Sequence, residues 1–165
     1  MTTTYQEKFA DPEWNLLVGL PQAVASAASV VQADGTRRTL IEGEAGLAAI
    51  SDGRESSSPL VREIATQLIE RIGGDPELGE EPPVVVEPEN PESYIDDTLD
   101  RARRSVKLLA KVDEGDAGAY RHWLVNIAGQ VVEAATTGGL LGLGGERITQ
   151  PEQSFVHRLG VTLGD

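Results

Sequence analysis

The residue types able to do chemistry are few in this chain, and their spacing limits what they can do. There is no cysteine, which removes disulfides, thiolate nucleophiles and cysteine-ligated zinc or iron–sulfur clusters. The two histidines, His122 and His157, belong to no ExxH, HExxH or HxH string, the spacings that put metal ligands or a ligand and a base on one helix face. Carboxylates cluster at Glu42/Glu44, Asp96/Asp97/Asp100 and Asp113/Glu114/Asp116, where calcium or magnesium could bind. Asp113-Glu114-Gly115-Asp116 lacks the alternating acids and terminal glutamate of an EF-hand loop, and each cluster reads more simply as helix caps and solvated turns. Ser56-Ser57-Ser58 has no GxSxG context and reads as a loop and a cap.

The glycine run GGLLGLGG, Gly138 to Gly145, follows a helix rather than a strand and contains no lysine. Phosphate-binding loops need the reverse order, so that backbone N–H groups and a helix N-terminus face the anion, and the run is not read as a nucleotide site. Its Leu140, Leu141 and Leu143 either plug the core from a tight connection or form an apolar loop that docks a protein partner.

The elements that must position these groups are helical. Asp11 as N-cap, Pro12 at the first helical position and Glu13 next make a helix start, and Trp14, Leu17 and Val18 share a face. Gly19-Leu20-Pro21 predicts a kink or a restart, because proline forfeits one helical hydrogen bond. From Pro21 to Ala33 small residues would let another helix approach closely, and a short helix is expected from about Glu42 to Ser51. Ser58-Pro59 opens a firm helix carrying Leu60, Val61, Ile64, Ala65, Leu68 and Ile72, closed by Gly73-Gly74. Residues 75–91 hold five prolines within an acidic run and read as an extended connector.

Asn90-Pro91-Glu92 starts a helix whose Ile95, Leu99, Ala102, Val106 and Leu109 form one apolar stripe. Its acids fall in the first half. Arg101, Arg103, Arg104, Lys107 and Lys111 fall in the second, as the helix dipole favours, so the basic cluster reads first as a solvated face and second as an anion or partner site. Asp116 is the expected N-cap of a helix with Tyr120, Trp123, Leu124, Ile127, Val131 and Ala134 inward. Thr149 and Glu152 have capping-box spacing before a last helix with Phe155, Val156, Leu159 and Leu163. The two Trp-bearing ends share a loose plan, suggesting two helical hairpins packed around the Ile95–Leu109 helix.

Length and charge bound the rest. At 165 residues the chain fits one helical domain, 1–165, with the 75–91 connector between two halves. Its net charge of −13, from 27 acids and 14 bases, repels phosphate backbones and argues against nucleic-acid binding. The weakly apolar stretch Gly19 to Ala33 is too short to span a bilayer, and no secretory signal is readable, so a cytoplasmic address is expected.

Tyr120 to Gln153 resembles a segment of small uncharacterised bacterial helical proteins. The helix–glycine loop–acidic helix arrangement is similar to tellurite-resistance TerB-like domains. That resemblance implies an all-helical fold with acids that hold a divalent cation, here Asp34, Glu42, Glu44 and Glu146. The sequence thus predicts an all-α, irregular or orthogonal bundle of about five to seven helices with no recognised catalytic site. Its leading role is a soluble interaction module that binds a protein partner or itself, through the Pro21–Ala33 helix and the Leu140–Leu143 loop. The alternative is a TerB-like divalent-metal- or ligand-binding stress protein.

Overall fold

The computed structural model describes residues 4–30, 36–72, 91–137 and 150–164. Asp34, Leu140, Leu141, Leu143, Glu146 and the 75–90 stretch of the acidic connector lie outside these residues. Among the described residues six α-helices make the fold: α1 (Asp11–Val30), α2 (Thr36–Asp52), α3 (Pro59–Ile72), α4 (Pro91–Leu108), α5 (Glu114–Thr137) and α6 (Gln150–Leu163). Short 3-10 turns precede α1 at Tyr5–Lys8 and follow α2 and α4. The described residues contain no strand, and the all-α bundle expected from the apolar periodicity is what forms. No helix among them is long and apolar enough to cross a membrane.

The stripes read in the sequence become one core. Trp14, Leu17, Val18 and Val24 of α1 meet Ile50 of α2, Leu60, Ile64 and Leu68 of α3, Leu99 and Ala102 of α4, Tyr120, Leu124, Ile127 and Val131 of α5, and Phe155 and Leu159 of α6, all buried. The centre is α1 against α5, each touching most of the other helices. The Ile95–Leu109 helix, expected at the centre, instead lies to one side against α1 and α6. Its apolar stripe is narrow and its other faces are charged, so it can cover the core from one direction only.

The small residues of α1 serve the interior. Ala23, Ala27, Ala28 and Ser29 are buried, so the Pro21–Ala33 face offered above as a contact surface is largely consumed within the chain. Gly46 of α2 shows why smallness matters: a Cβ built there would lie 3.0 Å from Ala25 Cβ and 3.3 Å from Val131 Cγ2. A Cβ here would have to push Ala25 or Val131 back by a few tenths of an ångström, so the glycine eases the close seating of α2 between α1 and α5. The helix α2 starts at Thr36, well before the expected start at Glu42.

Proline 21 does not restart the helix, since α1 runs through it. A proline lacks the N–H that would bond the carbonyl four residues earlier, here Leu17, and a bare carbonyl in the core is costly. The Tyr120 hydroxyl donates to Leu17 O at 2.8 Å, supplying the missing donor from α5. Burial pushes the Tyr120 hydroxyl well above its ordinary pKa, keeping it protonated and able to donate. Tyr120→Phe is therefore expected to leave Leu17 O unsatisfied and to cost about 1–3 kcal/mol, read from the urea midpoint.

Two caps sit differently from the sequence reading. Trp14 N–H bonds Ala10 O at 2.9 Å, so Ala10, not Asp11, is the N-cap of α1, and Glu13 reaches back to accept from Ala10 N–H at 2.9 Å. At α5 the N-cap is Asp113, whose Oδ1 accepts from Asp116 N–H at 2.8 Å. Asp116 is one turn further in, and its carboxylate is free to reach other elements.

Candidate functional site

What Asp116 reaches is the segment that precedes α1. The Tyr5 hydroxyl donates to Asp116 Oδ2, and the Ser58 hydroxyl donates to Oδ1 at 2.6 Å. Ser58 is also the N-cap of α3, accepting from Val61 N–H at 3.4 Å. One carboxylate, 6% exposed, thus joins the leading segment, the start of α3 and the start of α5. Burial pushes the Asp116 carboxyl up, but the hydrogen bonds from Ser58 and Tyr5, with the charge of Lys8, outweigh it and hold the group below its ordinary value. Tyr5 moves the other way, pushed up to about 12 by its bond to Asp116, by burial and by the negative charges of Asp116, Asp113 and Glu63.

The rest of the segment is grasped along its length. Glu63 of α3 accepts two consecutive backbone N–H groups, Tyr5 at 2.9 Å and Gln6 at 3.4 Å. Gln67, one turn on, donates to Gln6 Oε1 at 3.2 Å and accepts from Trp14 Nε1 at 3.0 Å. Phe9 is buried and stacks on Trp14, with centroids 5.8 Å apart and planes at 30°. Lys111 closes the site, its ammonium 5.5 Å from the Phe9 ring and 2.6 Å from Glu13 Oε2. The bond from Lys111 and that from Ala10 N–H hold the Glu13 carboxyl below its ordinary range. Between these anchors Tyr5–Lys8 has no buried residue, so the segment is held at its two aromatic ends and by its backbone.

The sequence did not point here. The hydrogen bonds from α3 and α5 to the segment and to Trp14 join residues 53 to 111 positions apart, and no local spacing encodes them. One signal was available: Tyr5 and Phe9 are two of only seven aromatic residues, placed four apart in an otherwise polar stretch.

The residues singled out from sequence fare variously. Glu42 and Glu44 both lie on α2. Glu44 is exposed. His122 and His157 are exposed on α5 and α6. The acids of α4 pair with the basic cluster, Arg101 with Asp97 at 2.9 Å and both Arg103 and Arg104 with Asp100 at 3.3 Å, which makes this face a solvated, internally neutralised one. Asp96 receives Arg158 of α6 at 3.3 Å on the wall of an open groove of about 470 Å³ that also carries His157 and the exposed Val161. Glu114 pairs with Arg121. Among the described residues no three His, Asp or Glu side chains gather closely enough to hold a metal ion.

Comparison with protein-family models, with curated proteins and with solved structures finds no match for this chain.

Proposed function

We propose that this protein is a small helical interaction module that recognises an extended peptide segment in the groove between α1, α3 and α5. The observation that carries the reading is the grasp on Tyr5–Phe9. A carboxylate takes two successive backbone N–H groups, a buried acid takes a tyrosine hydroxyl, and a stacked tryptophan under a lysine takes a phenylalanine. Peptide-binding domains divide their work in this way: main-chain hydrogen bonds hold the segment, and pockets for spaced side chains select it. The buried Ser58 and Asp116 are engaged with each other and with helix starts, a use that builds the groove instead of activating a nucleophile.

The test is to weaken the resident segment and restore it from outside. In the full chain Phe9→Ala lowers the melting temperature. A peptide spanning Thr4 to Ala10 then raises it again in proportion to the logarithm of its concentration, as a ligand of the native state must. The same peptide with Tyr5→Phe and Phe9→Ala leaves the melt unchanged. No shift with the natural peptide at about 1 mM, where even a weak ligand is half bound, contradicts the reading.

This reading also predicts that calcium or magnesium at about 1 mM leaves the melting temperature within about 1 °C of its metal-free value. The engagement of the α4 and α5 acids with arginines and caps supports that expectation. A rise of several degrees with calorimetric heat would favour the TerB-like divalent-cation alternative.

A further inference from the structure

We propose that the groove selects a segment in which an unmodified tyrosine is followed three residues later by a base, and that it refuses a phosphate on that tyrosine. This rests on the reading of the groove as a peptide site, and names the chemistry of the segment it takes.

The tyrosine end of the groove presents acceptors. Asp116 Oδ2 accepts from the Tyr5 hydroxyl while its other oxygen is taken by the Ser58 hydroxyl, so this buried carboxylate meets whatever stands at the Tyr5 position as an acceptor only. The negative charges of Asp113 and Glu63 bear on the same hydroxyl, and Glu63 is held close by the Tyr5 and Gln6 backbone N–H groups. A phenol suits such a place because it donates one hydrogen bond and brings no charge. Phenylalanine would fill the space but leave Asp116 short of a donor, the mismatch that a hydrogen-bonding site discriminates against most strongly. A phosphotyrosine would lose the donor and set a charge of about −1.5 to −2 among three carboxylates.

The base belongs to the segment itself. Tyr5–Lys8 is a single 3-10 turn, in which positions three apart eclipse, and this brings the Lys8 ammonium to 4.9 Å from the Tyr5 ring centroid. The charge of Lys8 also acts on Asp116. The segment thus carries its own counter-charge to an acidic site. The net charge of −13 draws a basic segment and repels an acidic one at longer range.

The test uses the full chain with Phe9→Ala and four peptides spanning Thr4 to Ala10: the natural one, Tyr5→Phe, Lys8→Glu, and the natural one phosphorylated on Tyr5. The concentration each needs for an equal rise in melting temperature measures its relative affinity. Tyr5→Phe should need at least about tenfold more peptide, the loss expected of a hydrogen bond to a charged acceptor. Lys8→Glu should need at least about threefold more at about 50 mM salt, a gap that closes to less than about twofold at about 0.5 M salt as the charges are screened. The phosphorylated peptide should give no rise where the natural one saturates. Equal action by the Tyr5→Phe or the phosphorylated peptide overturns the tyrosine requirement, and equal action by Lys8→Glu at low salt overturns the base requirement, each leaving the groove as a peptide site. A natural peptide that raises nothing overturns the peptide site itself, and this selectivity with it.

Discussion

Asp116→Ala is expected to destabilise the protein by about 3 kcal/mol, more than most single substitutions, in a denaturant titration. The side chain is small, and little of this comes from lost packing. The cost lies in two hydroxyl donors, Ser58 and Tyr5, that lose a charged acceptor in a buried place. Hydrogen bonds to a charged group contribute about 1.5–3 kcal/mol each, and sharing one carboxylate makes the two less than additive. The same variant should release the leading segment, so the exchange of Tyr5 and Gln6 amide protons accelerates even where the helices stay folded.

The pH dependence follows with a definite sign. Asp116 has its folded pKa lowered, so its contribution is complete above the unfolded value of about 3.9 and is lost as pH falls through the lower folded value. Tyr5 has its folded pKa raised, so its contribution is complete below about 10 and is lost as pH rises towards about 12. Tyr120, raised by burial, adds to the loss on the alkaline side. Asp116→Ala should flatten the acid limb of the stability profile, and Tyr5→Phe should flatten the alkaline one.

Gly53→Ala should also cost about 3 kcal/mol, although helix propensity alone favours alanine by about 1 kcal/mol. A Cβ at Gly53 would lie 2.6 Å from Trp123 Cζ2, 2.7 Å from Cε2 and 3.0 Å from Ala65 Cβ. The indole cannot simply retreat, because its Nε1–H donates at 3.1 Å to Ala49 O, one of the last four carbonyls of α2. Overpacking and the loss of this C-terminal partner act together against the propensity gain. Trp123→Phe combined with Gly53→Ala should then cost less than the sum of the two single changes, since the smaller ring makes room.

Elements with a strong local pattern were legible. The stripes of α3 and α5 gave most of their core residues, though Ile72 and Ala134 are only half-buried and the buried Ile69 was passed over, and Ser58-Pro59 marked the start of α3, because these signals lie within one or two helical turns. Where tertiary partners decide, the sequence reading shifted. At α1 the proline signal was real, and Tyr120, 103 residues from the Leu17 carbonyl left bare, answers it. The segment TRRTLIEGEAGLAAISD has two internal glycines and weak apolar content, so its local pattern does not mark its helical extent. At α5 two aspartates compete for one cap, and only the reach of Asp116 to Ser58 and Tyr5 separates their roles. The contacts that hold Tyr5–Phe9 were illegible because they come from α1, α3 and α5, which meet only on folding.

Hydrogen exchange of the natural chain tests most directly whether the leading segment is a ligand or a fixed part of the core. If Tyr5–Phe9 is a ligand in its groove, the Tyr5 and Gln6 amides bonded to Glu63 open on their own. They should then exchange at least about a hundredfold faster than the core amides of α1 and α5, a gap of about 2.7 kcal/mol in opening free energy. Added Thr4–Ala10 peptide should speed them further by holding the groove open. Exchange at the rate of the core amides, unmoved by the peptide, would mean that the segment leaves only when the whole protein unfolds, and would contradict this account.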